Sequence, residues 1–150
     1  MPDAPISLDD RQAIYDTLAR YVWGMDTGDI EAVVATFTPD GVVKDVTGKR
    51  WDAAAGGVRG FAMHFLARPN RRGGQHHVQH LLVEPAAGGS CRVTSYWVSI
   101  QWDAEADRKF IRAMGSYRDT CVQVDGHWRI KEKIIDPWNS ATAPMVGHLP

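Results

Sequence analysis

The feature that most constrains this chain is a change of period near residue 70. Before it, apolar residues recur at helical spacing; after it, they crowd into long β-type runs. Ile14, Leu18, Tyr21, Val22 and Met25 form one apolar stripe, with Ser7 and Asp10 spaced as a capping box at its start and Thr27-Gly28-Asp29 punctuating its end. A second short helix is expected from Asp29 to Phe37, stopped by the turn-forming Thr38-Pro39-Asp40-Gly41, and a short strand from Gly41 to Lys49. Val58, Phe61, Ala62, Phe65 and Leu66 predict a third helix, which must end near Pro69; a polar loop spans 70–74.

Beyond it, His76 to Glu84, Cys91 to Trp102, Lys109 to Val124 and Trp128 to Asp136 are rich in Val, Ile, Thr, Tyr and Trp. Asp125-Gly126 joins the last two as a hairpin signal. Helices first and consecutive strands afterwards predict an α+β layout, with helices on the concave face of a curved, mostly antiparallel sheet. The 150 residues make one domain, 1–150, with enough chain for a sizeable core. The tail from Pro137 to Pro150 lacks periodicity and is expected to wrap the surface or a neighbouring subunit.

A net charge of −1 offers no basic field for nucleic acid or an anionic membrane. Met1 to Asp10 carries no signal-peptide pattern, and no apolar run is long enough to span a bilayer, so the expected location is cytoplasmic. Cys91 and Cys121 lie in separate strand-like stretches and are read as buried free thiols. No nucleophile elbow, phosphate loop or dinucleotide fingerprint is present, and no cofactor is expected.

Two fragments carry the candidate chemistry. In Tyr21 to Asp29 (YVWGMDTGD), Asp26 falls at the edge of the helical stripe. It is either the cap of the second helix or a semi-buried carboxylate that needs a partner. In Gln75 to His80 (QHHVQH), His77 and Gln79 share one strand face while His76 and His80 share the other. His76 and His80 would stand about 13 Å apart on an extended strand, too far to hold one ion, so no metal site is expected. Tyr117, Asp119 and Cys121 share a face; Lys131 and Lys133 alternate with apolar residues as on a solvated sheet face, unless one turns inward.

Arg20-Tyr21, Met25-Asp26-Thr27-Gly28-Asp29, Phe37-Thr38-Pro39-Asp40, Gly60-Phe61, His77, Gly115-Ser116-Tyr117-Arg118-Asp119 and Asp125-Gly126-His127-Trp128-Arg129-Ile130, in this order and spacing, resemble the SnoaL-like branch of the nuclear transport factor 2-like superfamily. The likeness runs from about Leu8 to Ile135, with a tail, Ala143-Pro144-Met145-Val146-Gly147, similar to that of some members. It implies a cone of three helices on a strongly bent mixed sheet around an apolar pocket. It also implies an Asp–His dyad like that of scytalone dehydratase, the bile-acid 7α-dehydratase and hexachlorocyclohexane dehydrochlorinase. Asp26 and His77 match that pair, Tyr21 matches a pocket tyrosine, Lys133 falls where the dehydrochlorinase has a pocket arginine, and Tyr117 falls near an active-site asparagine. His80 stands where many relatives have asparagine, and Met25 where scytalone dehydratase has tyrosine.

The expectation is a lyase acting on a small hydrophobic cyclic molecule by a dehydratase-like elimination. His77 would be the general base, Asp26 its orienting carboxylate and Tyr21 a hydrogen-bonding group; Tyr117, Lys133, Trp23, Trp97 and Trp102 would line the pocket. The rival readings are a ligand carrier, an isomerase or cyclase using the same base, and the small subunit of a ring-hydroxylating dioxygenase. The resemblance also implies a homo-oligomer, with a trimer favoured over a dimer.

Overall fold

The structure is a computed structural model that describes residues 5–68 and 73–144. Helix α1 (Leu8–Thr27) begins where the capping box was expected. Ser7 Oγ accepts the Asp10 backbone N–H at 3.0 Å and donates its own hydrogen to Asp10 Oδ2 at 2.6 Å. It ends at Gly28, whose φ of 79° is left-handed and open to glycine without strain. Ile14, Leu18, Tyr21 and Met25 are buried along one stripe, each burial worth about 2 kcal/mol relative to exposure. Helix α2 (Ile30–Ala35) follows at once and crosses α1 closely at Gly24, where a Cβ would stand 2.8 Å from Val33 Cγ2.

Strand β1 (Phe37–Lys44) starts earlier than the turn signal suggested: Thr38-Pro39-Asp40-Gly41 is absorbed as an irregularity in its pairing with the last strand. Then come β2 (Arg50–Trp51), helix α3 (Gly57–Leu66), β3 (Gln75–Ala86), β4 (Ser90–Asp103), β5 (Arg108–Val124) and β6 (His127–Pro137). The sheet order is β2-β1-β6-β5-β4-β3; β1 and β6 are parallel and the other pairs antiparallel. The sheet is mixed and curled, and the three helices pack on it. Phe61, Ala62, Val93, Trp97, Tyr117 and Ile130 belong to one core with the α1 stripe.

Three of these strands carry one extra residue each. On β3 the register slips between Gln79 and Leu82, at His80, whose φ is 57°. On β5 it slips at Arg112, and on β6 at Lys131. A one-residue bulge switches which residues face inward from there on. On β3 the inner set is His76 and Val78, then Leu81 and Val83; on β6 it is Trp128 and Ile130, then Lys133 and Ile135.

Cys91 and Cys121 stand opposite each other on β4 and β5 as buried free thiols, and burial pushes both thiol pKa values up. Strand β6 carries the chain to Pro137, and Trp138 then packs its ring edge-on to Tyr96. Residues 145–150, and with them most of the tail motif, lie outside the described residues, as does most of the 70–74 loop. Among the described residues no helix is long and apolar enough to cross a membrane.

Candidate active site

Between α1, α3 and the inner face of β4, β5 and β6 lies a mostly apolar cavity of about 290 Å³. Tyr21 and Met25 enter it from α1, Phe61 and Phe65 from α3, and Trp97, Tyr117 and Ile135 from the sheet. Tyr117 stacks on Trp97 with centroids 5.7 Å apart, and Tyr21 meets Tyr117 edge-on at 6.5 Å. Burial, and then the charges of Asp119 and Asp26, push the Tyr117 hydroxyl far above its ordinary pKa, so it stays a neutral hydrogen-bonding group.

Two histidines line this wall, His64 from α3 and His76 from β3, and His76 is the one that a carboxylate holds. Asp26 holds it at two points: its Oδ1 lies 2.6 Å from His76 Nδ1, and its Oδ2 accepts the His76 backbone N–H at 2.9 Å. Both side chains are nearly buried, at 13% and 11% exposure. Phe65 covers the imidazole at 5.7 Å. With Nδ1–H donated to the carboxylate, the neutral ring carries its lone pair on Nε2, the nitrogen left for the cavity that His76 lines.

Asp26 is free for this because Asp29 caps α2 instead, its Oδ1 accepting the Ala32 N–H at 3.0 Å. His77, expected as the base, is exposed on the other face of β3, with Nε2 3.1 Å from Gln75 Oε1. The bulge at His80 is the reason: counting by twos back from Val83 reaches His77, but the extra residue moves the inner position to His76.

Two further expectations are corrected by geometry. Trp23, two positions from Tyr21 on α1, points away from the core and is 70% exposed. Trp102 does not line the cavity; its indole N–H donates to Asp107 at 3.0 Å. Lys133 is a third case: it turns inward, yet sits behind the cavity wall rather than in it. Its Nζ lies 2.9 and 3.0 Å from the two Asp119 carboxylate oxygens, 3.8 Å from the centre of the Tyr117 ring and 4.6 Å from that of Tyr21. Of the expected wall, Tyr21, Trp97 and Tyr117 line the cavity.

Sequence reasoning passed over Asp45, Phe65, Arg68 and Arg112, all of which line it. Asp45 is a buried loop carboxylate. Oδ1 accepts the Thr47 hydroxyl at 2.6 Å and the backbone N–H groups of Thr47 and Lys49, and Oδ2 accepts the Trp51 indole N–H at 2.7 Å. Burial pushes its pKa up, but these hydrogen bonds outweigh that and hold it below the ordinary 3.8. The sign follows: the carboxylate stabilises the native state above its unfolded pKa, and the benefit is lost as pH falls through the lower native value. Asp45→Asn is therefore expected to cost about 2 kcal/mol in urea unfolding at neutral pH, with the deficit shrinking below about pH 4. Among the described residues no group of three or more His, Cys, Asp or Glu side chains is placed to hold a metal ion.

The family model of the SnoaL-like domain matches residues 7–133. No curated protein sequence matches the chain. Solved structures share the fold. The protein Aln2 from a Streptomyces species superposes with a TM-score of 0.76 at 21% identity, covering 89% of this chain and 94% of its own. An NTF2-like protein with a cystatin-like fold from Novosphingobium aromaticivorans gives 0.75 at 20% identity over 90% and 87%. A protein of the same organism, provisionally named a scytalone dehydratase, gives 0.71 at 20% identity over 95% and 97%. A family match over most of the length, on a fold shared across these structures, places the chain in the SnoaL-like family of the nuclear transport factor 2-like superfamily.

Proposed function

We propose that the protein is a lyase that removes a proton from a small hydrophobic cyclic substrate by general-base catalysis at His76. The observation that carries this reading is the two-point grip of Asp26 on His76 at the wall of an apolar cavity. An imidazole is an effective base near neutral pH, and a carboxylate on its far nitrogen fixes the tautomer and stabilises the imidazolium. SnoaL-like proteins include polyketide cyclases and dehydratases, which fits such a base.

In the elimination, His76 Nε2 takes a proton from the carbon next to a carbonyl. The C–H electrons form the new C=C bond, and the C–O bond to the hydroxyl breaks. The imidazolium returns its proton to the departing oxygen, so water leaves and the base is restored. Tyr21 and Tyr117, which line the cavity, would hold the carbonyl through their hydroxyls. The step needs no electron carrier. The cavity volume, near the lower end of the about 300–1,000 Å³ usual for small-molecule sites, suits a compact ring system.

The reading is tested with 5-nitrobenzisoxazole, a flat apolar compound that opens to a coloured phenolate when a base removes its ring proton. Saturable ring opening faster than free imidazole at equal concentration is expected; a rate no better than imidazole would sink it. With hydroxylated cyclic ketones, loss of water in the product mass supports elimination, while unchanged mass would make the same base an isomerase or cyclase.

The expected homo-oligomer, trimer or dimer, is proposed to form through the outer sheet face. Leu82, Tyr96, Ile111 and Met114 are exposed there on three adjacent strands. Ile111→Lys should then lower the mass measured by sedimentation; a monomeric native protein would end this proposal.

A further inference from the structure

The mouth of the cavity carries charge that the proton-transfer reading does not use. Arg112 and Ala113 are consecutive on β5, yet both line the cavity. Plain alternation forbids that. The register slip at Arg112 permits it, because the extra residue of a bulge brings two neighbouring side chains to one side. Arg68, just past the end of α3, contributes a second guanidinium to the same lining, 5.1 Å from the Phe65 ring centre.

Among the described residues neither guanidinium has a carboxylate within ion-pair reach; the polar partner of Arg112 is the Gln101 side-chain oxygen at 3.1 Å. The carboxylate in this lining that could answer them, Asp45, has both oxygens filled by donors of its own loop. The floor and walls are apolar rings, while Arg112 is exposed at the rim. A ligand that fits has a greasy body and an anionic end that stays near water, where its charge need not be desolvated. A guanidinium offers two parallel N–H donors to a planar carboxylate.

We infer that Arg112 and Arg68 form an anion-reading rim, and that the substrate is an amphipathic cyclic carboxylate held ring-first in the cavity. This rests on reading the cavity as a substrate site, and it narrows the substrate class.

The test compares 2-naphthoate with 2-naphthamide, a neutral ligand of nearly the same shape, by calorimetric titration of the native protein. At low salt the acid should bind about tenfold more tightly than the amide, as two partly exposed charge contacts would supply. The difference should shrink at about 0.5 M salt, while the affinity for the amide stays level. The double variant Arg68→Gln/Arg112→Gln should bind acid and amide alike with the amide affinity unchanged, and Arg112→Lys should keep part of the preference.

Equal affinities in the native protein, a preference indifferent to salt, or a preference intact in the double variant would each overturn the inference. The His76→Gln protein should keep its preference for the acid. Loss of proton-transfer activity and loss of anion reading are therefore separate outcomes: equal binding removes the rim and leaves the base standing, and an inactive protein with a carboxylate preference does the reverse.

Discussion

His76→Ala is expected to lower protein-dependent opening of 5-nitrobenzisoxazole by about 10²–10⁴-fold, while His77→Ala leaves it within about twofold of the native rate. The two residues are adjacent, of one type and on one strand, so composition and propensity cannot explain a difference between them. Only orientation can: His76 is held by Asp26 at the cavity wall, and His77 meets solvent and Gln75. Asp26→Asn extends the test. An amide can still accept from Nδ1–H, but it brings no charge to stabilise the imidazolium, and its NH₂ can turn the ring to the wrong tautomer. A loss of at least about tenfold is expected, at the low end of what a positioned base contributes. Initial rates with far-ultraviolet circular dichroism on each variant decide the matter. Full activity in folded His76→Ala, or equal losses in both histidine variants, would remove His76 from the mechanism.

That pair of variants also marks where the sequence stops being legible. Helix α1 was readable to the residue at its capping box, because cap chemistry is local: Ser7 and Asp10 are three residues apart and need nothing else. The long strands were readable for the same reason, since β-branched and aromatic runs broken by Asp125-Gly126 need no knowledge of their partners. Spacing left Asp26 open between a helix cap and a partnered carboxylate; its pairing with a β3 histidine was implied by the family resemblance, which pointed to His77 where the bond goes to His76.

Alternation along a strand is a rule of parity, and a single extra residue reverses it. His80, Arg112 and Lys131 mark three such reversals, and none is a glycine or proline that would announce a break. The first exchanges His77 for His76, the second brings Arg112 into the cavity lining, and the third turns Lys133 inward. Where a bulge falls depends on how the bent sheet closes around its helices, a long-range property with no local signature. The tryptophans fail for a simpler reason. Aromatic content predicts a wall, but Trp23 is about 200° around α1 from Tyr21, and Trp102 is an odd number of residues along β4 from Trp97.

Lys133→Met is expected to cost about 3–5 kcal/mol, a large share of what holds a domain of this size together. The Lys133 and Asp119 side chains are 1% and 0% exposed, and the ammonium touches both carboxylate oxygens and lies over the rings of Tyr117 and Tyr21. Burial pushes the Asp119 carboxyl up, and the charge and hydrogen bonds of Lys133 pull it back only in part, so its native pKa is raised. Removing the lysine leaves a buried carboxylate with no counter-charge, which must then take up a proton. A carboxyl with a raised native pKa destabilises the fold as pH climbs through that value, so the deficit of Lys133→Met should shrink toward about pH 4 and be largest at neutral pH. Asp119→Leu should cost a similar amount at neutral pH, by stranding the ammonium beneath the tyrosines. The double variant Asp119→Leu/Lys133→Met removes both charges and fills the space with apolar atoms, so it should recover most of the loss: the two single costs add to far more than the double cost. Urea midpoints for the four proteins measure this coupling. Additive costs, or a Lys133→Met deficit below about 1 kcal/mol, the range of exposed pairs, would mean that this ion pair is not sealed from water behind the cavity wall.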